Sequence, residues 1–310
     1  MKNKVLITVF TPTYNRKHLL KRVYDSLVKQ GNFSLFEWLI VDDGSSDDTV
    51  EFINKTVENE KRFKIRIYKQ EHGGKHRAIN TAIDLAHGEF LFILDSDDYL
   101  AECAILNVSK WISGIKNRNE IVAVSGMKIL SDGELIGGRP VVKENSYIDA
   151  SNLERNKFGL YGDKAEIYRI SVLKENKFPE WENEYFLTEA VCWNQIAMKG
   201  GIVRWYNTPI CICEYRDDGL TRKGSNARKG HISNYKGFSY YVKQSYEAYT
   251  KYEFMPLFWE YHMTSMQKGV KLKNFAKNIG FSFFKYAVFL IVLVPFIGAA
   301  RKLGAFCRRE

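Results

Sequence analysis

The sequence predicts an α/β fold, a mixed, mostly parallel sheet with flanking crossover helices, followed by a helical carboxyl-terminal appendage. Three observations carry this reading. Short apolar runs alternate with segments of helical periodicity over the first hundred residues, the pattern of strand–helix–strand units. The central run, Phe90 to Leu94, is too short for a typical helix and ends abruptly in Asp95, Ser96, Asp97 and Asp98. Earlier runs also end in polar loops, and open α/β sheets bind ligands at the carboxyl ends of their strands.

Taken in order, Val5 to Phe10 reads as the first strand and TPTYNR, Thr11 to Arg16, as its loop. Leu19, Leu20, Val23, Leu27 and Val28 then recur at helical spacing until Gly31. Glu37 to Val41 is a second strand, closing in DDGSSDDT, where Ser46 suits a helix cap and Asp47 and Asp48 its first turn. Asp42 and Asp43, before the Gly44 turn, are either ligand contacts or turn-forming acids. Ile65 to Tyr68 is a third strand. In the QEHGGKHRAIN that follows, Gly73 and Gly74 permit a tight turn, and Lys75, His76 and Arg77 bring cations to the start of a helix running to His87. That suits phosphate, although the spacing is neither the dinucleotide nor the P-loop fingerprint.

Beyond the acidic turn, Ala101 to Lys116 reads as a helix, Ile121 to Leu130 as a strand, SDGEL as a hairpin-like turn, and Gly138 to Asn156 as polar and irregular. Lys164 to Arg169, Val203 to Tyr206 and Pro209 to Tyr215 are further strands. TEAVCWNQIAMKG signals a helix in which Thr188 is the cap, so Glu189 either complements the helix dipole or does chemistry. Asp217 to Gly230 is polar and glycine-bearing, the composition of a loop that closes over a ligand. His231, just beyond, reads as a surface histidine or as a group that reaches the site on closure.

Repulsion among Asp95, Asp97 and Asp98 is unfavourable unless something positive sits among them. A divalent cation meets that need, and hard oxygen ligands on one turn suit Mn²⁺ or Mg²⁺ with substrate phosphates completing the shell. The other reading is a solvated acidic turn before the next helix. Formal net charge is +10, but from Lys268 onward nine Lys or Arg stand against Glu310, a net +8 that leaves only +2 for residues 1–267. A nucleic-acid surface spread over the domain is thereby excluded. The five cysteines lack zinc-ligand spacing, although Cys211 and Cys213 alternate along one strand and point the same way. No cleavable signal opens the chain, so reduced thiols in the cytoplasm are expected.

FTPTYNR, VDDGSSDDT and LDSDD, in that order, resemble the inverting glycosyltransferases of family 2, with more distant matches in TEAVCWNQ and EYRDDGLT. The resemblance implies a GT-A, Rossmann-like nucleotide-diphospho-sugar transferase fold. It divides the chain into a catalytic domain at 1–230, with a nucleotide-sugar half at 1–100 and an acceptor half at 101–230, and a helical region at 231–310. Thr11, Tyr14, Arg16 and Asp42 would line the nucleotide pocket, with Asp42 reading a uracil edge. Asp95, Ser96 and Asp97 match the metal and ribose motif, with Asp95 and Asp97 as metal ligands, and Lys75 would lie beside the nucleotide. The catalytic base matches Glu189, although Ala190 stands where many members carry Asp. A UDP-sugar donor and a glycan acceptor follow. A nucleotidyltransferase would place its glycine-rich basic loop after the first strand, where TPTYNR stands; a catalytically silent scaffold of the same fold is the other alternative.

Phe281 to Ala300 is hydrophobic, broken by Lys285 and Pro295, and basic on both flanks. Its longest uncharged part is short for a span, and positive charge on both sides favours an in-plane or re-entrant segment on the cytoplasmic face of a membrane. Ile297, Ala300, Leu303 and Gly304 would lie on the membrane, with Arg301 and Arg308 towards its headgroups. That placement implies a lipid-linked acceptor, such as a polyprenyl-diphosphate glycan. A buried carboxyl-terminal helix is the alternative.

Overall fold

A computed structural model describes residues 5–137, 146–214 and 225–291. The chain forms two compact units, Met1–Phe178 with Gln195–Arg216, and Pro179–Asn194 with Asp217–Glu310. In the first, β1 (Ile7–Thr13), α1 (Lys17–Val28), β2 (Phe36–Asp42), α2 (Thr49–Val57), β3 (Lys64–Lys69), α3 (Lys75–Leu85) and β4 (Phe90–Ile93) alternate as the periodicity predicts. The chain continues through β5 (Tyr99–Leu100), α4 (Ala104–Ser113), β6 (Ile121–Leu130), β7 (Tyr147–Ala150), β8 (Lys164–Arg169), α5 (Ile170–Lys174), α6 (Ala190–Met198) and β9 (Ile202–Cys213), with the unit boundary falling inside α6.

The strands lie in the order β3-β2-β1-β4-β8-β6-β9-β5, with β7 added on β9. Pairing is parallel for β1–β2, β1–β4, β2–β3 and β6–β9, and antiparallel for β4–β8, β6–β8, β5–β9 and β7–β9. Among the described residues the sheet is therefore half parallel, not mostly parallel. Apolar runs carry no sign of strand direction, so β8 returning against β4 was invisible to them. β7 is likewise a strand where an irregular stretch was expected, because its polar residues pair at an edge and do not pack inside. The two strands expected around Pro209 are one, β9. Its pairing with β6 shifts register there, passing from Ser125↔Trp205 to Met127↔Pro209, and the bulge accommodates a proline that a regular ladder would not.

Parallel pairing of β1, β2 and β4 sends their carboxyl ends to one sheet edge, with Thr13 opposite Asp42 and Phe10 opposite Ile93. Leu20, Val23 and Leu27 of α1 pack with Val9, Trp38 and Ile40 beneath that edge. α2 starts at Thr49 with Asp48 as cap residue and no side-chain cap. Ser46, expected to cap it, instead donates its N–H to Asn15 Oδ1 at 2.9 Å.

At the opposite end of these strands Glu37 is a buried clasp. Its carboxylate accepts from Thr8 Oγ1 at 2.8 Å, from Arg66 Nη2 at 2.9 Å and Nε at 3.1 Å, and from the His87 N–H at 2.8 Å. One side chain thus ties β1, β2, β3 and the end of the α3 loop.

The second unit contains α7 (Ser225–Ser233), α8 (Tyr235–Ala248), α9 (Lys251–Gln267) and α10 (Leu272–Asn278), and 283–291 is also helical. A capping box starts α9: Glu253 N–H donates to Thr250 Oγ1 at 3.3 Å and Thr250 N–H to Glu253 Oε2 at 3.2 Å. The core is aromatic, built from Phe238, Phe254, Phe258, Tyr261, Phe275 and Tyr286. Phe281 and Tyr286, expected in a membrane segment, are buried in it. Phe284 and Ile291 are 78% and 75% exposed. Among the described residues no helix is long and apolar enough to cross a membrane. The proposed turn at Pro295 and the residues after it lie outside the described residues, as does most of the loop from Asp217.

Burial alone would raise the pKa of Glu37, but Arg66, the His87 N–H and Thr8 together hold it below its ordinary 4.5. A depressed folded pKa stabilises the fold above the unfolded value and loses that contribution as pH falls through the folded one. Glu37→Gln is therefore expected to cost about 3 kcal/mol at pH 7, the scale of a broken buried ion pair, and to flatten the stability profile below pH 4.5. Urea unfolding across pH measures both; an unchanged midpoint would remove the clasp.

Candidate active site

The loops at the carboxyl edge of β1, β2, β3 and β4 are bound to one another. Asn15, in the left-handed region at φ 53°, donates its N–H to Ser45 Oγ at 2.8 Å. The Ser45 hydroxyl and N–H both donate to Asp42, the latter at 3.1 Å. Gly44 sits between them at φ 81°, and a Cβ there would come within 2.7 Å of the His72 nitrogen. Only glycine lets the β2 loop lie this close to the β3 loop. Asp43 then gathers that second loop: its carboxylate accepts from Gly73 N–H at 3.0 Å, Gly74 N–H at 2.8 Å and Gln70 Nε2 at 2.7 Å, and pairs with His72 Nδ1 at 2.9 Å. Tyr14 stacks on His72 with ring centroids 4.2 Å apart.

Several of these side chains and amides are engaged within the chain. Asp42 is fully buried, and Ser45 donates to both its oxygens, which fixes the loop. Thr11 is also fully buried, and its hydroxyl accepts from Trp38 Nε1 at 3.0 Å within the sheet. The N–H groups of the Gly73–Gly74 turn are committed to Asp43. Tyr14 remains exposed beside His72.

The acidic turn follows β4, closed by Asp98 N–H donating to Asp95 O at 3.0 Å, with Ser96 and Asp97 at its corner and both half-buried. Lys75, the first residue of α3, reaches Asp95 Oδ1 at 2.6 Å. Burial raises the Asp95 pKa, but Lys75 and then Lys128 outweigh it and hold the carboxyl below its ordinary value. Asp97 is shifted the other way: burial, then Asp95 and Asp98, raise its pKa, against its own N–H and Arg16. Arg22 donates to the Asp97 carbonyl at 2.6 Å, lies 4.8 Å from the Tyr99 ring and pairs with Glu214. A half-buried carboxyl whose charge is opposed by two like neighbours is what a cation would relieve. The hard oxygens of Asp95 and Asp97 therefore fit Mn²⁺ or Mg²⁺.

Behind the turn is a cluster that sequence spacing did not reveal. Asp98, Cys211 and Cys213 bring possible ligand atoms within 4.8 Å of one another, all buried. Antiparallel pairing of β5 with β9, Leu100 opposite Cys211, assembles it. The alternation of the two thiols was legible, but their partner lies more than a hundred residues away. Lys128 Nζ already pairs with Asp98 Oδ2 at 3.1 Å, and the Cys211 thiol lies 3.7 Å from the same oxygen. The Cys213 hydrogen bond, burial and Asp98 push the Cys211 thiol far up. Burial would lower Lys128, but Asp98 and its neighbours keep it raised and charged. A metal here would have to displace the Lys128 ammonium and deprotonate a resistant thiol.

Glu189 lies in the second unit, half-buried, one residue before α6. Its carbonyl accepts from Trp193 N–H at 3.2 Å, so it is the cap residue rather than a first-turn acid. Thr188, expected as the cap, receives the Ala190 N–H at 3.4 Å.

A half-parallel sheet with its loops and acidic turn gathered at one edge is the architecture of GT-A nucleotide-sugar transferases. The structure of S. aureus TarS 1-349 in complex with UDP-GlcNAc superposes with a TM-score of 0.61 at 17% identity, over 97% of this chain and 92% of that one. Residues 8–175 match glycosyl transferase family 2, and the chain belongs to that family. The nucleotidyltransferase alternative is thereby set aside. Chondroitin synthase of Pasteurella multocida is 39% identical over 100 residues, 32% of this chain and 10% of that protein. The GalNAc(5)-diNAcBac-PP-undecaprenol beta-1,3-glucosyltransferase of Campylobacter jejuni is 28% identical over 192 residues, 60% of this chain and 58% of that one. The chain thus spans a tenth of the first relative's length and just over half of the second's.

Lys128→Met should leave Asp98 charged and unpaired in a buried site, costing about 3–5 kcal/mol. Combining it with Asp98→Leu should restore most of that loss. Denaturant unfolding of the single and double variants measures the cycle; equal losses in both would mean that Lys128 does not serve Asp98.

Proposed function

We propose that this chain transfers a sugar from a UDP-sugar to a hydroxyl of a glycan acceptor, with inversion at the anomeric carbon. The carrying observation is the half-buried carboxyl of Asp97, its charge opposed by Asp95 and Asp98, among Lys75, Arg16 and Arg22 at the loop-bearing sheet edge. Family membership and the resemblance to a UDP-GlcNAc-bound protein support it. In this reading 1–230 carries catalysis, with 1–100 serving the donor and 101–230 the acceptor. Tyr14, stacked on His72, offers the nucleobase an aromatic face. Thr11, Asp42 and Ser45 hold the pocket from below, Arg16 and Lys75 face the diphosphate, and Ser96 adjoins the ribose.

Asp95 and Asp97 would hold Mn²⁺ or Mg²⁺, which when bound would offset charge on the departing diphosphate. Glu189 accepts the proton of the acceptor hydroxyl as its oxygen bonds to the anomeric carbon and the bond to the diphosphate breaks. No covalent intermediate on the chain is needed. The acceptor is proposed to be lipid-linked, in line with the undecaprenol-linked substrate in the name of the Campylobacter relative. The 231–310 region would then dock on the cytoplasmic face of a membrane, an assignment favoured by the exposed Phe284 and Ile291 beside Lys285.

Two variants separate the roles. Asp97→Asn is expected to abolish the thermal stabilisation that UDP-sugar and Mn²⁺ give together, and to lower transfer by at least about 10²-fold. Glu189→Gln should keep that stabilisation and lose transfer by roughly 10²- to 10⁴-fold. Full transfer by metal-stripped protein in chelator would defeat the metal assignment, and a Glu189→Gln loss under about tenfold would return that residue to a capping role.

For the membrane assignment, Phe284→Glu with Ile291→Glu should weaken co-flotation with phosphatidylglycerol vesicles by at least about tenfold, since each buried large apolar side chain contributes about 1.5–3 kcal/mol. Undiminished flotation of the double variant, or none by the unaltered chain, would remove this face from membrane contact.

A further inference from the structure

One face of α1 carries a polar stripe that grips the chain leaving the acidic turn. Arg22, Ser26 and Gln30 stand four residues apart and so line up along the helix, while Leu20, Val23 and Leu27 pack in the core. Ser26 and Gln30 are buried. Gln30 Nε2 donates to Ala101 O at 2.9 Å, and its Oε1 accepts the Ile105 N–H at 3.1 Å. Ser26 Oγ accepts the Leu100 N–H at 3.2 Å. At the head of the stripe Arg22 Nη2 donates to Asp97 O at 2.6 Å. The main chain from Asp97 to Ile105 is thus held by side chains of a single helix, and the turn takes its place from α1 as well as from β4.

Arg22 is the member of this stripe that meets the site. Its guanidinium donates to the Asp97 carbonyl, pairs with the Glu214 carboxylate, and has the Tyr99 ring 4.8 Å from its Cζ. A planar fork can serve a carbonyl, a carboxylate and an aromatic ring together, and a single ammonium cannot. The pairing with Glu214 also matters for a cation. An uncompensated arginine at the acidic corner would repel a divalent ion, whereas Glu214 offsets that charge and leaves the carbonyl contact in place. Repulsion among Asp95, Asp97 and Asp98 pushes the turn open, and Lys75 and Lys128 answer the first and the last of the three. Arg22 reaches the second through its main chain.

We infer that Arg22 is a positioning residue for the metal ligands: by holding the Asp97 carbonyl it keeps the Asp97 carboxyl beside that of Asp95 before a cation arrives, and so sets the affinity for that cation. The inference rests on the reading of Asp95 and Asp97 as donors to Mn²⁺ or Mg²⁺. Two carboxylates that must be brought together against their own repulsion bind a cation more weakly than two already held in place. A residue that orients a metal ligand through a hydrogen bond typically contributes roughly 10- to 100-fold to metal affinity. Arg22 acts on the fork geometry of its contacts, so its charge alone does not replace it.

The test follows metal binding and not turnover. Mn²⁺ is titrated into the full chain with UDP at a fixed concentration, and free Mn²⁺ is read by electron paramagnetic resonance against a UDP blank. The temperature is one at which circular dichroism shows each variant folded. Arg22→Met should weaken Mn²⁺ by roughly 10- to 100-fold. Arg22→Lys keeps the charge and loses the fork, and should still weaken Mn²⁺ by roughly two- to tenfold, the worth of one net hydrogen bond; it decides the matter if Arg22→Met does not fold. Gln30→Ala, at the far end of the same stripe, should lower the urea midpoint of unfolding and leave Mn²⁺ affinity unchanged. Unaltered affinity in Arg22→Lys, or a loss in Gln30→Ala equal to that in the Arg22 variants, would overturn the assignment. Absence of Mn²⁺ binding by the unaltered chain, or binding undiminished in Asp97→Asn, would instead count against the metal reading on which it rests.

Discussion

Three carboxylates within four residues, Asp95, Asp97 and Asp98, repel one another, and much of the first unit is arranged around that repulsion. Lys75 reaches Asp95 from the start of α3, and Lys128 reaches Asp98 from within β6. Arg22 holds the main chain of the turn from α1. Two of the acids are thereby answered by fixed protein cations, and the third, Asp97, is left with its pKa raised. The turn is therefore charged unevenly: its flanks are satisfied internally and its corner calls for a positive partner. A structural acidic turn in solvent would show neither the buried lysine nor the opposed shifts of neighbouring carboxyls.

Most strands of this unit were legible because their side chains go into a core. β6 and β8 have the predicted ends, and β1 to β4 differ by a few residues. Direction was not legible, since apolar composition is the same whichever way a strand runs, and half the pairings prove antiparallel. β7 was missed because an edge strand needs no apolar run. At the site, the order of the motif loops was legible, but the partners of individual side chains were not. Asp42, by position, and Thr11, by resemblance, were expected at the nucleotide, and no local pattern showed that Ser45 would donate to the one and Trp38 to the other. The Asp98, Cys211 and Cys213 cluster depends on the pairing of β5 with β9, which no local pattern encodes.

The carboxyl-terminal region shows a different limit. A run rich in phenylalanine and flanked by lysines reads as a membrane segment whether or not some of its rings face a protein core. In the described part both outcomes occur on one helix: Tyr286 is buried among Phe258 and Phe275, while Phe284 and Ile291 face outward. Periodicity divides the faces, but only the fold identifies which face has a partner.

The commitment of the Gly73 and Gly74 amides to Asp43 has a consequence for how phosphate can be recognised. P-loop and dinucleotide folds grip phosphate with neutral, rigidly placed backbone amides, which ionic strength affects little. In this chain those amides are spent internally, so on the proposed reading a diphosphate is gripped by side-chain cations and a cation at the acidic corner. Charges at a partly exposed edge are screened over about 8–10 Å in physiological salt. Donor affinity on this scaffold should therefore be set by the ionic composition of its surroundings, a sensitivity that folds with an amide cradle largely escape.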